Sequence, residues 1–301
     1  MGLTRREWSK LMLTSVVGLG MPFRRSFALS TQAPVVIGLQ TYSLRDRSLE
    51  EAIKAMVQLG ITSCELWEGH VEPLELQWKR NSTSAETSRN KELLTAWRNE
   101  LQMSSISAIR EKLSRAGIKI QAYSATFKDN ISEHDLELAF KIAQALGTDT
   151  LTSSATVSVM KRVDVYARQY KIKVGMHNHA HVDKPNEFAT PDSFVRGAAG
   201  LSEYIKINLD IGHFTAANFD AVAFIREHHQ NIVCLHLKDR KRDQGANLPF
   251  GSGDTPIADV LRLVRDNNWP IPANIEYEYN GADTVTELEK CISYCQQIIK
   301  S

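Results

Sequence analysis

The sequence is short of the features that would place it in a special class. Only four of its 301 residues are cysteine. Cys64 and Cys234 fall inside apolar, strand-like runs. Cys291 and Cys295 are four apart on a helix-like segment, where Cβ atoms lie about 5–6 Å apart and an unstrained bridge cannot form. This excludes a disulfide framework and leaves all four as small buried apolar side chains. Charge of one sign is also lacking: 36 basic residues face 35 acidic ones. Residues 1–28 hold five of the basic residues against one acidic residue, so the remainder is net negative. A surface built to neutralise phosphates leans the other way, which argues against nucleic acid as a partner. No apolar run is long enough to span a bilayer comfortably. There is no internal repeat and no low-complexity tract. What is present is ordinary globular composition, 43% hydrophobic and 24% charged, in a length that suits one large barrel or two small domains.

Residues 1–28 read as a targeting segment. Arg5 and Arg6 precede an apolar run from Leu11 to Phe23, and Ser26-Phe27-Ala28 offers small residues for cleavage after Ala28. The pattern resembles a twin-arginine signal peptide, with Trp8 and Ser9 where Phe-Leu is usual. The alternatives are a disordered basic arm or a retained lipid-facing anchor. The resemblance implies export to the periplasm of a protein that folds, often with its cofactor, before it crosses the membrane. The mature form is then expected to be free of the membrane.

After the leader, strand-like and helix-like patterns alternate to the end. Short runs rich in Val, Ile and Leu predict strands near 35–40, 63–67, 118–123, 149–153, 172–177, 205–210, 232–237 and 272–277. Amphipathic segments lie between them. One is capped by Ser48 and stopped by Gly60; another is capped by Ser132 and stopped by Gly147. Residues 256–267 and 283–299 read the same way. Eight strands followed by helices predict an α/β fold, a single-domain (β/α)8 barrel over residues 35–301. The stretch from Trp67 to Ser114 is too long for one β/α unit. It predicts an enlarged region after the second strand, acting as a lid or an oligomer contact, or else a disordered loop. A homo-oligomer is possible on this ground.

Four predicted strands end in a potential metal ligand, namely His177, Asp210, His236 and Glu276. The polar residue always follows the apolar run. A barrel gathers the carboxyl ends of its strands at one mouth, so all four can converge there and hold one divalent ion. Side chains alternate along a strand, so His179, Lys238 and Glu278 share the faces of His177, His236 and Glu276. Taken singly, each has a plainer reading as a turn residue or a surface ion pair. Together they outweigh it, because an unpaired buried charge is costly.

Asp210-Ile-Gly-His213, His236-Leu-Lys238-Asp239, Glu276 and the turn Gly251-Ser-Gly253-Asp254 resemble the xylose isomerase-like barrel superfamily. The segment Gly38 to Asp46 resembles its first strand. The resemblance runs from about Val35 to Ile299. It implies that Asp210, His236 and Glu276 are metal ligands. His177-Asn178-His179 stands where the epimerases usually carry a Glu, and is similar to a sub-branch labelled sugar phosphate isomerase/epimerase; His177 is therefore assigned as the fourth ligand. The metal is Mn, Co, Fe, Zn or Mg, its identity open.

The expected activity is isomerisation or epimerisation of a small sugar, by proton abstraction beside a metal-bound carbonyl. Elimination from a keto-glycoside, as a lyase or dehydratase, starts with the same step and is the alternative. Glu276, His179, Lys238 and Glu65 are the candidate catalytic residues, Lys238 on the expectation that burial lowers its pKa. Gln40, Tyr42, Trp67, His70, His213 and Glu278 are candidate substrate contacts. Other classes are an AP endonuclease-like hydrolase, disfavoured by charge and by the lack of an Asp-x-His in the loop before Gly251, and a non-catalytic sugar-binding barrel.

Overall fold

The computed structural model describes residues 35–77 and 83–301. The expected leader and the loop residues Trp78 and Arg80 lie outside them. Eight parallel strands close into a barrel: β1 (Ile37–Gln40), β2 (Ser63–Trp67), β3 (Lys119–Ala125), β4 (Thr150–Ser153), β5 (Lys173–His177), β6 (Ile205–Asp210), β7 (Ile232–Leu237) and β10 (Ala273–Ile275). Each strand pairs with its neighbour in sequence, and β10 closes on β1 through Ile37 to Ala273 and Leu39 to Ile275. A two-stranded hairpin, β8 (Asp239–Arg240) and β9 (Asn247–Leu248), rises from the end of β7.

The helices form where the caps predict. Helix α1 (Leu49–Gln58) opens on a capping box between Ser48 and Glu51, and α4 (Glu133–Leu146) opens on Ser132. Gly147 stops α4 at a φ of 76°, a left-handed position that costs glycine nothing. The enlarged region is helical: α2 (Ser84–Glu100) and α3 (Met103–Arg115). Helix α2 starts earlier than hydrophobic periodicity suggests because Thr83 and Glu86 form a capping box. None of its residues is buried, whereas α3 buries Ile106 and Leu113. Helices α5 (Met160–Tyr170), α6 (Pro191–Ala198), α8 (Ala221–His228), α9 (Ile257–Asp266) and α10 (Thr284–Lys300) complete the outer layer. Their apolar faces press on outward strand residues such as Leu151, Val174, Leu209 and Leu235, all fully buried. Burial of each such side chain contributes roughly 1.5–3 kcal/mol. The four cysteines are buried and unbridged.

Two local devices fix the carboxyl ends. The first is the one-turn helix α7 (Ile211–Ala216), for which Asp210 is the N-cap: its Oδ1 accepts the His213 N–H at 2.7 Å. A Cβ on Gly212 would sit 2.5 Å from the Lys238 carbonyl oxygen, so only glycine lets α7 lie against β7. The second is Asp239, whose carboxylate accepts the backbone N–H groups of Gly251, Gly253 and Thr255. A Cβ on Gly253 would fall 2.0 Å from that carboxylate. The Gly-x-Gly turn thus folds the loop after β9 back onto the end of β7.

Candidate metal centre and barrel mouth

The alternation of side chains along β5, β6 and β7 and the register of β10 bring His177, Asp210, His236 and Glu276 to one point. All four are buried, and their ligand atoms lie within 4.8 Å of one another. Asn178 holds two of them in step: its side chain donates to the Asp210 carbonyl at 3.1 Å and accepts the Asp210 N–H at 2.9 Å. This explains the middle residue of His-Asn-His. It faces the neighbouring backbone while the flanking histidines face the mouth.

The donor set fits a divalent cation. His177 Nδ1 is buried with no hydrogen-bond partner among the described residues, and Asp210 Oδ2, equally buried, faces the Lys238 ammonium at 3.1 Å as an ion pair without an aligned hydrogen bond. A buried polar atom left without a partner is rare and calls for a ligand. Burial, then the charges of His236 and His179, hold His177 well below 6.5, so it is a neutral imidazole with a lone pair to give. Burial lifts Asp210 to about 6 although Lys238 opposes it. Burial also opposes ionisation of Glu276, but Lys238 and His236 hold its carboxyl well below 4.5. His236 bridges two carboxylates, with Nδ1 at 3.0 Å from Glu276 and Nε2 at 2.8 Å from Glu65. Burial pulls its pKa down, and Glu65 and Glu276 together raise it well above 6.5. A cation entering here takes the place of the Nδ1 proton.

A cavity of about 260 Å³ opens above this point, lined by Tyr42, Trp67, Thr126, Ser154, His179, His213, Lys238 and Glu278 among others. A sequence model of the xylose isomerase-like TIM barrel matches residues 53–295. The chain belongs to that family. No curated protein sequence matches it. Solved structures of the same fold include 3-keto-D-glucoside 4-epimerase from E. coli, at 10% identity over 87% of this chain and 99% of that one, with a TM-score of 0.64. The probable 3-DHS dehydratase of Bacillus anthracis shares 16% identity over 86% and 98%, with a TM-score of 0.62. A third, the IOLI protein with a binding zinc atom, shares 12% over 88% and 98%, with a TM-score of 0.63. At these identities the likeness is one of fold.

Within this xylose isomerase-like barrel, most of the mouth residues picked out from the sequence do meet. Tyr42 and Trp67 stand edge to face, their centroids 5.1 Å apart, as an aromatic wall. Tyr123 and Phe214 lie buried in the core. His179 lines the opposite side, with Nε2 at 3.4 Å from Ser154 Oγ. Burial, then Lys128 and Lys238, lower its pKa to about 4, so it is neutral at pH 7. His213 receives Arg240 Nη1 on Nδ1 at 2.7 Å and faces Lys238 Nζ at 3.1 Å. Gln40 lies on the floor with its amide spent on protein: it donates to Glu65 and accepts the Tyr42 N–H.

Three expectations need correction. His70 does not reach the cavity. It is buried beneath the turn after β1, where its ring nitrogens meet Thr41 Oγ1 and the Leu44 carbonyl. Glu65 does not face substrate either: it is fully buried below the four ligand candidates. Lys238 is not a lysine with a lowered pKa. Burial does pull it down, but Asp210, Glu276 and Glu278 surround the ammonium and raise it well above 10.5. Sequence reasoning also passed over Thr126, Ser154 and Arg240. The first two follow β3 and β4 directly, so the same strand-end rule applied to those strands finds them.

Proposed function

We propose that this protein is a divalent-metal-dependent sugar isomerase or epimerase acting on a small carbonyl-bearing sugar. The observation that carries the reading is the convergence of four buried ligand candidates, with His177 Nδ1 left without a partner among the described residues, beneath a cavity with one aromatic and one polar wall. His177, Asp210, His236 and Glu276 would hold the ion, and a bound ion would act as a Lewis acid toward the substrate carbonyl. The chain supplies the rest. Tyr42 and Trp67 offer an apolar wall to a sugar ring. Neutral His179 and the carboxylate of Glu276 are the groups placed to take a proton from the carbon beside the carbonyl. Lys238 keeps its charge and acts as a fixed cation opposite the negative charge that develops, rather than as a proton donor. His213, Glu278 and Ser154 are left to bind hydroxyl groups.

Elimination from a keto-glycoside is the second reading, supported by a dehydratase among proteins of the same fold. The proposed leader favours a free sugar or keto-glycoside over a phosphorylated one. Its test is N-terminal sequencing of mature protein, which should begin near Leu29; an intact Met1 end in the periplasm overturns cleavage, and protein confined to the cytoplasm overturns export. The function itself is tested by exchange of solvent deuterium into a panel of ketoses and keto-glycosides. Exchange is expected only in the ion-loaded protein. Bound sugar with no exchange would make this a binding barrel.

A further inference from the structure

One carboxylate is surrounded by donors at a point that no solvent reaches. Glu65 stands on the barrel axis, fully buried, one layer below the ligand candidates. Its Oε1 accepts Gln40 Nε2 at 2.8 Å and Thr152 Oγ1 at 2.6 Å. Its Oε2 meets His236 Nε2 at 2.8 Å, Asn274 Nδ2 at 3.0 Å and Cys234 Sγ at 3.6 Å. Four other strands thus supply donors to one carboxylate. Gly38 belongs to the same arrangement: a Cβ there would fall 2.3 Å from Asn274 Oδ1, so glycine at this point of β1 makes room for the Asn274 amide.

Burying a carboxylate costs several kcal/mol before its partners offset it, and an apolar layer of equal volume would fill the lumen at no such cost. Of its five contacts, the one to His236 reaches a ligand candidate, while Gln40 reaches only the floor of the cavity. A carboxylate accepts and cannot donate, so the nitrogen it faces must carry the N–H. Asn208 Nδ2 also lies 3.0 Å from Nε2, but the charged Glu65 oxygen is nearer, at 2.8 Å, and keeps the N–H on that nitrogen. Nδ1 faces the Glu276 carboxylate in turn, so it is the Nδ1 proton that a cation would displace and the Nδ1 lone pair that it would meet. Nδ1 is also the nitrogen on the side of the other ligand candidates.

We infer that Glu65 is a positioning residue, which fixes the His236 ring and its tautomer so that Nδ1 is presented to the metal. The inference rests on the metal reading above and extends it to a residue that touches neither ion nor substrate. Partners of this kind raise ligand basicity and hold the ring, and their loss typically weakens metal affinity by about 10–100-fold.

The test is zinc affinity of the full chain, by competition with a chromophoric chelator. Glu65→Gln, shown folded by circular dichroism, should bind zinc about 10–100-fold more weakly. Glu65→Asp keeps the charge but draws it back by one methylene, and should recover part of the loss. Folded Glu65→Gln with wild-type zinc affinity overturns the inference. Should Glu65→Gln not fold, long-range 1H–15N spectra of zinc-loaded wild-type protein decide. His236 protonated on Nε2 supports the assignment, and protonation on Nδ1 overturns it. A folded wild-type protein that takes up no zinc, manganese or cobalt overturns the metal reading itself, and is distinct from a failure of Glu65→Gln alone.

Discussion

The two ends of the barrel hold cavities of opposite character. At the amino ends of the strands lies one of about 970 Å³, lined by Lys119, Lys173, Lys206, Tyr204 and Trp269 among others. At the carboxyl ends lies one of about 260 Å³. Neither of the buried ligand-candidate clusters among the described residues lines the larger hollow. Lys173 pairs there with Asp149 at 3.2 Å in contact with water, and Lys206 donates to the Asn231 side chain. Trp269, also in its lining, is stacked on His229. At the smaller one, four buried ligand candidates and a buried lysine converge, and His177 Nδ1 is left without a partner among the described residues. Volume marks where strands and loops fail to fill space, whereas convergence of unsatisfied polar groups marks where a ligand is needed.

The sharpest way to test this contrast is to remove one ligand candidate. Glu276→Gln should lose tight zinc or manganese binding and lower turnover by at least about 10³-fold, because a single neutral amide replaces a ligand that is also a candidate base. Calorimetric metal titration beside the deuterium-exchange assay measures both, and retention of both removes Glu276 from the site. His177→Glu should keep metal binding and lose at least about 10-fold in turnover, since it restores a charged group where this chain has a neutral one. Full activity in that variant would show that the swap carries no mechanistic weight.

A smaller effect is expected one step away from the ion. His179 is neutral at pH 7, and among the described residues its ring hydrogen-bonds to Ser154 and to none of the four ligand candidates. His179→Ala should therefore bind metal as the parent does while turnover falls about 10²-fold, the scale of a lost general acid or base. Weakened metal binding in this variant would make His179 a ligand and redraw the site.

The architecture was readable in the sequence because parallel strands covered on both faces appear as apolar runs, and their polar residues stand out at the carboxyl ends. His177, Asp210, His236 and Glu276 were found in this way. Depth in the lumen was not readable. Glu65 precedes the end of β2 by two residues and pairs with Gln40, which places it below the mouth. His70 comes after that strand, in a turn that folds under β1. Nor could burial alone give the protonation of Lys238, since the sign depends on Asp210 and Glu278 arriving from other strands. The Asp-x-x-His spacing proved to be a helix cap as well as a candidate ligand motif, two uses of one carboxylate that the sequence shows only as one.

A stability effect probes the rim of the mouth. Glu68 accepts the Thr126 N–H, and burial, then the charge of Glu72, raises its pKa to about 7. The folded protein therefore keeps a proton that the unfolded chain releases above its ordinary pKa of 4.5. Glu68 contributes its full stability below pH 4.5, and that contribution is lost as pH rises to 7. Glu68→Gln should leave the melting temperature unchanged at pH 4.5 and stabilise the protein by on the order of 1–2 kcal/mol at pH 8. A gain of equal size at both pH values would show that packing, not ionisation, is responsible.

The smallest effect is predicted at the amino face. Lys173 and Asp149 keep side-chain exposures of 46% and 72%, so water screens their attraction and each gives up side-chain freedom to hold it. Such pairs contribute about 0–1 kcal/mol. A double-mutant cycle of Lys173→Ala and Asp149→Ala, read by urea unfolding, should give a coupling within that range that shrinks in 1 M salt. Zinc affinity and deuterium exchange should stay within about 2-fold of the parent, because Lys173 opens β5 and Asp149 precedes β4, at the end of the barrel opposite the four ligand candidates. A loss of metal or turnover from either substitution would mean that the large cavity takes part in the chemistry. The distinction between hollow volume and converging unmet valence would then fail for this barrel.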